Sequence, residues 1–235
     1  MIGDKRILAV IPARGGSKRL PRKNIMDFNG KPLLSWTIQA GLQSNYIDRV
    51  IVSTEDKAIA EVANEEGADV PFLRPVELAG DTVTTIDVIH HLMKSLAEDA
   101  YDYIILLQPT SPLRTAEHID QAVELLVEKN ADAIIGVTEV DHPVEWTNIL
   151  PDDLSFSRFI SPAVLNLRSQ DIPCRYRING ALYLVTSQKL IEQNTFFLHE
   201  NSYAFIMDKK VSIDIDDEID FATALILHRD EHKCS

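Results

Sequence analysis

The apolar positions along the first 140 residues fall into alternating short runs and helical stripes. Ile7 to Ile11 is a continuous apolar run, the pattern of a strand buried on both faces. Pro32 to Ser44 then reads as a helix with proline in its first turn. Arg49 to Ser53 is a second strand, and Asp56 to Glu66 a helix with Ile59, Val62 and Ala63 on one face and Gly67 as its stop. Val70 to Leu73 reads as a short strand, and Thr85 to Leu96 as a helix with Ile86, Ile89, Met93 and Leu96 near helical period. Tyr103 to Leu107 is a central strand, Ala116 to Lys129 a helix capped by Thr115, and Ala133 to Val140 another strand. Further on, the pattern predicts strands at Ala181 to Val185, Tyr203 to Met207 and Val211 to Ile215. It also predicts helices at Ser187 to Gln193 and Asp217 to His228.

This rhythm predicts an α/β fold: a Rossmann-like, mostly parallel sheet with helices on both faces. Residues 1–140 and 177–235 form the core. Between them, 141–176 breaks the rhythm. It holds four prolines and no helical period, yet Trp146, Phe156, Phe159, Ile160 and Leu165 are too apolar for a disordered loop. The segment reads as an excursion that packs against something, such as a second subunit. In open α/β sheets, ligands bind at the carboxyl ends of the strands. The loops after the first strand and after Leu107 both belong to that edge.

Composition narrows the class of protein. A chain of 235 residues that is 45% hydrophobic can bury a full core. Its formal charge of -13 argues against general nucleic-acid binding. No apolar run has the length of a membrane span, and nothing near Met1 resembles a signal peptide, so a cytoplasmic protein is expected. Cys174 and Cys234 stand far apart without metal-ligand spacing and are expected to be reduced.

Against that acidic background, Lys5 to Met26 holds seven Lys or Arg and no Asp or Glu. At the chain's mean acid content, such a stretch should hold about three carboxylates. The loop Ile11-Pro12-Ala13-Arg14-Gly15-Gly16-Ser17-Lys18-Arg19-Leu20-Pro21-Arg22-Lys23-Asn24 therefore reads as an anion site. Gly15 and Gly16 would let backbone N–H groups approach the ligand. Neither GxGxxG nor GxxxxGK[ST] is present, and the cation density suits a triphosphate.

A second constellation is Ser212-Ile213-Asp214-Ile215-Asp216-Asp217-Glu218. If this is a strand, Val211, Ile213 and Ile215 face the core, and Asp214 and Asp216 share the other face. Two such carboxylates can hold a hard divalent cation such as Mg2+. Alternatively, Asp216 or Asp217 caps the last helix. Gln108 to Arg114 is either a proline-rich turn or a ligand loop in which Gln108 meets a base or sugar and Arg114 adds charge. Arg175-Tyr176-Arg177-Ile178-Asn179-Gly180 is either a surface turn or a carboxylate site. The histidines show no ligand spacing, and no nucleophile triad is legible.

Taken together, IPARGGSKRLPRKN, VSTED, LRPVELAGDT, LQPTSPLR, RINGALY and SIDIDDEID resemble the N-acylneuraminate cytidylyltransferases and their legionaminic-acid relatives over essentially the whole chain. The resemblance implies the nucleotide-diphospho-sugar transferase fold. It also implies that CTP and a nine-carbon 2-keto sugar acid give a CMP-sugar acid and pyrophosphate, with Mg2+, in a homodimer whose dimerisation excursion is 141–176. By position, Arg14, Gly15, Ser17, Lys18, Lys23 and Asn24 look like triphosphate ligands. Arg74 looks like a nucleotide contact, and Thr85 falls where the family places a small hydroxyl residue near phosphate or base. Gln108, Arg168, Arg177 and Asn179 look like sugar-acid contacts. Phe196 and Phe197 match an aromatic pair lining the acyl pocket, or form a buried hydrophobic pair. Asp214 and Asp216 look like metal ligands, and Arg14, Lys23 and Asp214 carry the chemistry. Two departures fall on the sugar side. Val144-Glu145-Trp146 follows His142-Pro143 where some relatives carry lysine, and Ser169 stands where relatives often have arginine. The resemblance thus leaves the sugar acid open. The rivals are a metal-dependent glycosyltransferase using Asp214-Ile215-Asp216, and a nucleotide-binding subunit without turnover.

Overall fold

The computed structural model describes residues 2–96 and 100–233, so Cys234 lies outside the described residues. In chain order its elements are β1 (Ile7–Pro12), β2 (Asp27–Phe28), β3 (Lys31–Pro32), α1 (Leu33–Gln43), β4 (Arg49–Ser53), α2 (Lys57–Glu65), α3 (Thr85–Ser95) and β5 (Tyr103–Leu106). Then come α4 (Ala116–Lys129), β6 (Ala133–Glu139), β7 (Tyr176–Thr186), α5 (Ser187–Gln193), β8 (Ser202–Ile206) and α6 (Glu218–Lys233).

Six strands form one sheet in the order β4-β1-β5-β7-β6-β8. β4, β1 and β5 pair in parallel, as do β6 and β8, and β7 runs antiparallel between β5 and β6. Five strands therefore point one way and β7 alone opposes them. The buried run of β1 explains itself in this setting. No polar residue alternates along it because each face of the strand has its own core: Ile7, Ala9 and Ile11 pack with Leu33, Ile38 and Ile59 beneath α1 and α2.

 Leu8 and Val10 point to the opposite face and pack with Ile89 and Leu92 of α3 and Leu190 of α5. Each such side chain contributes about 1.5–3 kcal/mol on burial, which makes a polar residue at any of these positions costly.

Local signals set the helix ends. Asp56 caps α2 through its carboxylate, which accepts from the N–H groups of Ala58 and Ile59. Thr84 and Asp87 form a reciprocal capping box on α3, and Gly67, at φ +90°, leads the chain out of α2. Pro32 directly precedes α1, at the end of the small β2–β3 hairpin that the hydrophobic pattern did not reveal.

Two predicted strands are corrected. Val70 to Leu73 has no strand: after a single bridge between Ile51 and Asp69 the chain leaves the sheet edge, where Pro71 has no N–H to donate. Val211 to Ile215 is not a strand either. Lys209–Val211 forms a 3-10 turn, and 212–216 runs alongside the 108–114 loop, tied by the Ile215 N–H to the Thr110 carbonyl at 2.8 Å. Strand β7 begins five residues before the predicted Ala181 because its first part pairs with β6 alone, beyond the end of β5. The 141–176 segment leaves and re-enters the sheet at this β6–β7 extension, and its only regular pieces are the 3-10 turns Val144–Trp146 and Ser169–Asp171.

Candidate active site

The carboxyl ends of β1 and β5 open onto one cleft of about 590 Å3. Of the residues singled out in the sequence, Arg14, Ser17, Lys18, Lys23, Asn24, Arg74, Thr85, Gln108, Asp214 and Asp216 line it. The loop after β1 thus meets the two carboxylates from a segment nearly two hundred positions away.

The loop's cations do not stand bare. Asp81, from the segment leading into α3, pairs with Arg14 at 3.0 Å and with Lys18 at 2.5 Å. Asp216 pairs with Arg19 at 2.9 Å and lies 3.8 Å from Lys23. Arg74 is buried and pairs with Glu55 at 2.7 Å. Acids absent from the loop's own sequence return to it from three other segments. The cleft is therefore a set of exchangeable ion pairs rather than a purely positive surface.

Lys23 is buried, and its ammonium donates to the Ile215 carbonyl. Burial lowers its affinity for the proton, and this outweighs the opposing pull of Asp216, Asp214 and Asp220. An arriving polyanion would reverse that balance. Asp214 shows the converse: burial raises its carboxyl pKa, opposed by a hydrogen bond from Thr110. Gly180, at φ +78°, makes room at this point. A Cβ there would lie 2.8 Å from Gln108 Oε1 and 3.2 Å from Asp214 Oδ2. The glycine of the Asn-Gly pair thus lets β7 pass close behind both groups.

The helix-capping alternative holds for Asp217, whose carboxylate accepts from the N–H groups of Ile219 and Asp220. Asp216 caps nothing; its side chain faces the cations, and its own N–H donates to Asp220. Alternation in an extended segment brought Asp214 and Asp216 into the cleft while Ile215 stays in the core, without the ladder that the sequence suggested. Among the described residues no cluster of three or more His, Cys, Asp or Glu has metal-site form. A pair of carboxylates facing a polar cleft still fits a hard divalent cation that keeps waters and takes further oxygens from a phosphate.

Other residues singled out in the sequence take different places. Gly15 does not turn its N–H toward the cleft. That N–H donates to Glu55 Oε1 at 2.8 Å, and a Cβ on Gly15 would lie 2.5 Å from Asp56 Oδ2, so close packing accounts for this glycine. Arg114 adds no charge to the cleft surface. It is fully buried, its guanidinium donates to the carbonyls of Gln108 and Ala181, and burial lowers its pKa to about 9. Asn179 is buried, with its amide donating to Ser212 Oγ and its oxygen accepting from the Ala181 N–H, so it braces the chain before Asp214. Arg177 is exposed and reaches the carbonyls of Ile178 and Ser212 at 3.5 Å. Arg168 pairs with Asp171 on the exposed excursion. Phe196 is buried in the second core, whereas Phe197 is exposed, and both lie against Tyr183. None of Gly15, Arg168, Arg177, Asn179, Phe196 and Phe197 lines the cleft. The residues that sequence reasoning missed are Asp81 and Glu55. LRPVELAGDT and VSTED contained them, but nothing in their spacing pointed to the loop.

A nucleotide-scale cleft at the carboxyl edge of an α/β sheet, with clustered cations and two facing carboxylates, has the layout of a nucleotidyltransferase. Comparison with known proteins agrees. The family profile described as Cytidylyltransferase matches residues 8–233. The chain is 39% identical to the CMP-N,N'-diacetyllegionaminic acid synthase of Legionella pneumophila, covering 92% of this chain and 94% of that one. It is 34% identical to the pseudaminic acid cytidylyltransferase of Campylobacter jejuni, covering 96% and 97%. The N-acylneuraminate cytidylyltransferase of Escherichia coli is 35% identical over 97% of this chain but 53% of its own length. Among solved structures, CMP:2-keto-3-deoxy-manno-octonic acid synthetase complexed with CTP superposes with a TM-score of 0.72 at 17% identity, covering 97% of this chain and 100% of that one, which shows the shared fold. The chain belongs to the cytidylyltransferase family.

Proposed function

We propose that this protein joins CTP to a nine-carbon 2-keto sugar acid, giving a CMP-sugar acid and pyrophosphate. The observation that carries the reading is the meeting of the Arg14–Asn24 loop with Asp214 and Asp216 in one cleft, in a chain that matches sugar-acid cytidylyltransferases over nearly its whole length.

In the proposed reaction the anomeric hydroxyl of the sugar acid attacks the α-phosphorus of CTP. The bond from that phosphorus to the bridging oxygen breaks, the electron pair leaves with pyrophosphate, and the hydroxyl proton passes to solvent. Arg14, Lys18 and Lys23 offset charge on the phosphates as it shifts to the leaving group. Each is already held near a carboxylate, so phosphate replaces Asp81 and the solvent around Asp216 rather than entering empty space. Asp214 and Asp216 would hold Mg2+. When bound, the metal supplies further charge compensation at the phosphate oxygens. Gln108, at the end of β5, lies against Gly180 where the sugar acid would approach.

The exposed apolar residues of the excursion favour a homodimer: Ile149 is 90% exposed and Leu154 70%. A second chain packed there would also bring Arg168, Arg177 and Phe197 into play. An enzyme that consumes CTP is placed in the cytoplasm. Among the described residues no helix is long and apolar enough to cross a membrane.

The test is pyrophosphate release from CTP and Mg2+ with a panel of N-acetylneuraminate, N,N'-diacetyllegionaminate and pseudaminate. Release with one of the acids is expected. Silence with all three, from folded protein, would contradict the proposal, and hydrolysis or transfer from a UDP-sugar would instead favour the glycosyltransferase reading.

A further inference from the structure

Glu55 lies in the turn between β4 and α2, outside the cleft lining, and its carboxylate is 13% exposed. Its two oxygens serve two different segments. Oε1 accepts from the Gly15 N–H at 2.8 Å, and Oε2 accepts from the Arg74 guanidinium at 2.7 Å. The backbone repeats the tie, since the Arg74 N–H donates to the Thr54 carbonyl at 2.8 Å.

The Gly15 N–H and the Arg14 carbonyl belong to one peptide unit. Asn24 Nδ2 donates to that carbonyl at 2.9 Å. Glu55 holds one side of the peptide and Asn24 the other. A planar peptide fixed at both its donor and its acceptor has little freedom to rotate. Its orientation sets the direction in which the Arg14 side chain leaves the backbone, and Arg14 lines the cleft. Asp56 adds a steric wall, because it fills the space that a side chain on Gly15 would need.

We propose that Glu55 is a positioning residue. With Asn24 it fixes the Arg14–Gly15 peptide, and through Arg74 it couples the phosphate loop to the segment that leads to Asp81. This inference rests on the proposed use of a triphosphate in the cleft. Glutamine at this position replaces one of the two accepting oxygens with an N–H2 donor, so Gly15 and Arg74 no longer each meet an oxygen of their own.

The test compares the full-length wild type with E55A and E55Q. Readouts are kcat, KM for CTP, KM for the sugar acid, thermal unfolding, and calorimetric binding of inorganic tripolyphosphate. E55A is expected to raise the CTP KM by about tenfold or more, with E55Q severalfold and the sugar-acid KM unchanged. Tripolyphosphate affinity should fall in step. A folded E55A or E55Q whose CTP KM and tripolyphosphate affinity stay within about twofold of wild type would overturn the proposal. Should E55A fail to fold, the same criterion applies to E55Q. A lower unfolding temperature with unchanged CTP KM in the folded variant would also overturn it, as the mark of a purely structural role. If the wild type releases no pyrophosphate from CTP while tripolyphosphate binding still depends on Glu55, the functional reading fails and the positioning role stands.

Discussion

Asp81 occupies two of the cations that a triphosphate would use. It is half-exposed, and its hydrogen bonds to Lys18 and Arg14 hold its carboxyl below the usual carboxylate range. Exposed pairs of this kind are weak and exchange readily, so Asp81 acts as a replaceable anion. Asp81→Asn should therefore lower the KM for CTP by about two- to fivefold, read from initial rates at low salt. Asp214 calls for the opposite result. Burial already favours its neutral form, so Asp214→Asn should keep the fold. Turnover should drop by about a hundredfold or more if the carboxylate holds a metal. Unchanged circular dichroism with a lost turnover is the expected pair of observations, and full activity would remove Asp214 from the metal site.

At the scale of elements, α4 offers a pH test. Thr115 caps it, and His118 Nδ1 accepts from the Thr115 N–H at 3.1 Å. Burial, chiefly, lowers the His118 pKa below its usual 6.5. The unfolded chain then binds the proton more readily than the folded one, so this contribution is complete above 6.5 and fades as the pH falls toward the folded value. Urea unfolding of His118→Gln should show a shallower loss of stability than wild type between neutral and mildly acidic pH, because glutamine accepts at this position without titrating. Most of the elements were legible in advance, because buried strands and amphipathic helices write their period into the sequence. The β2–β3 hairpin was too short to carry a period. The Val211 to Ile215 strand was a false reading for a physical reason: an extended segment packed on a core alternates like a strand whether or not a ladder forms. The loop after β1 was legible from its charge. Its partners Asp81 and Glu55 were not, because pairing across segments follows from the fold. The close packing of Gly15 against Asp56 is likewise visible only in three dimensions.

Across the whole molecule, two features remain apart in a single chain. One is the cleft, and the other is the excursion with its exposed Ile149, Leu154, Phe156 and Leu165. Apolar side chains at this exposure are the mark of an interaction face. Equilibrium sedimentation should find a dimer, and Ile149→Lys with Phe156→Glu should shift it toward monomer. A wild-type monomer at micromolar concentration would contradict the assembly. The reaction itself is tested most directly by 31P NMR of the protein with CTP, Mg2+ and the accepted sugar acid. The three CTP resonances should disappear, and one phosphodiester signal should appear with an equal amount of pyrophosphate. Inorganic phosphate and CDP in place of that pair, or an unchanged CTP spectrum with every acid, would contradict it.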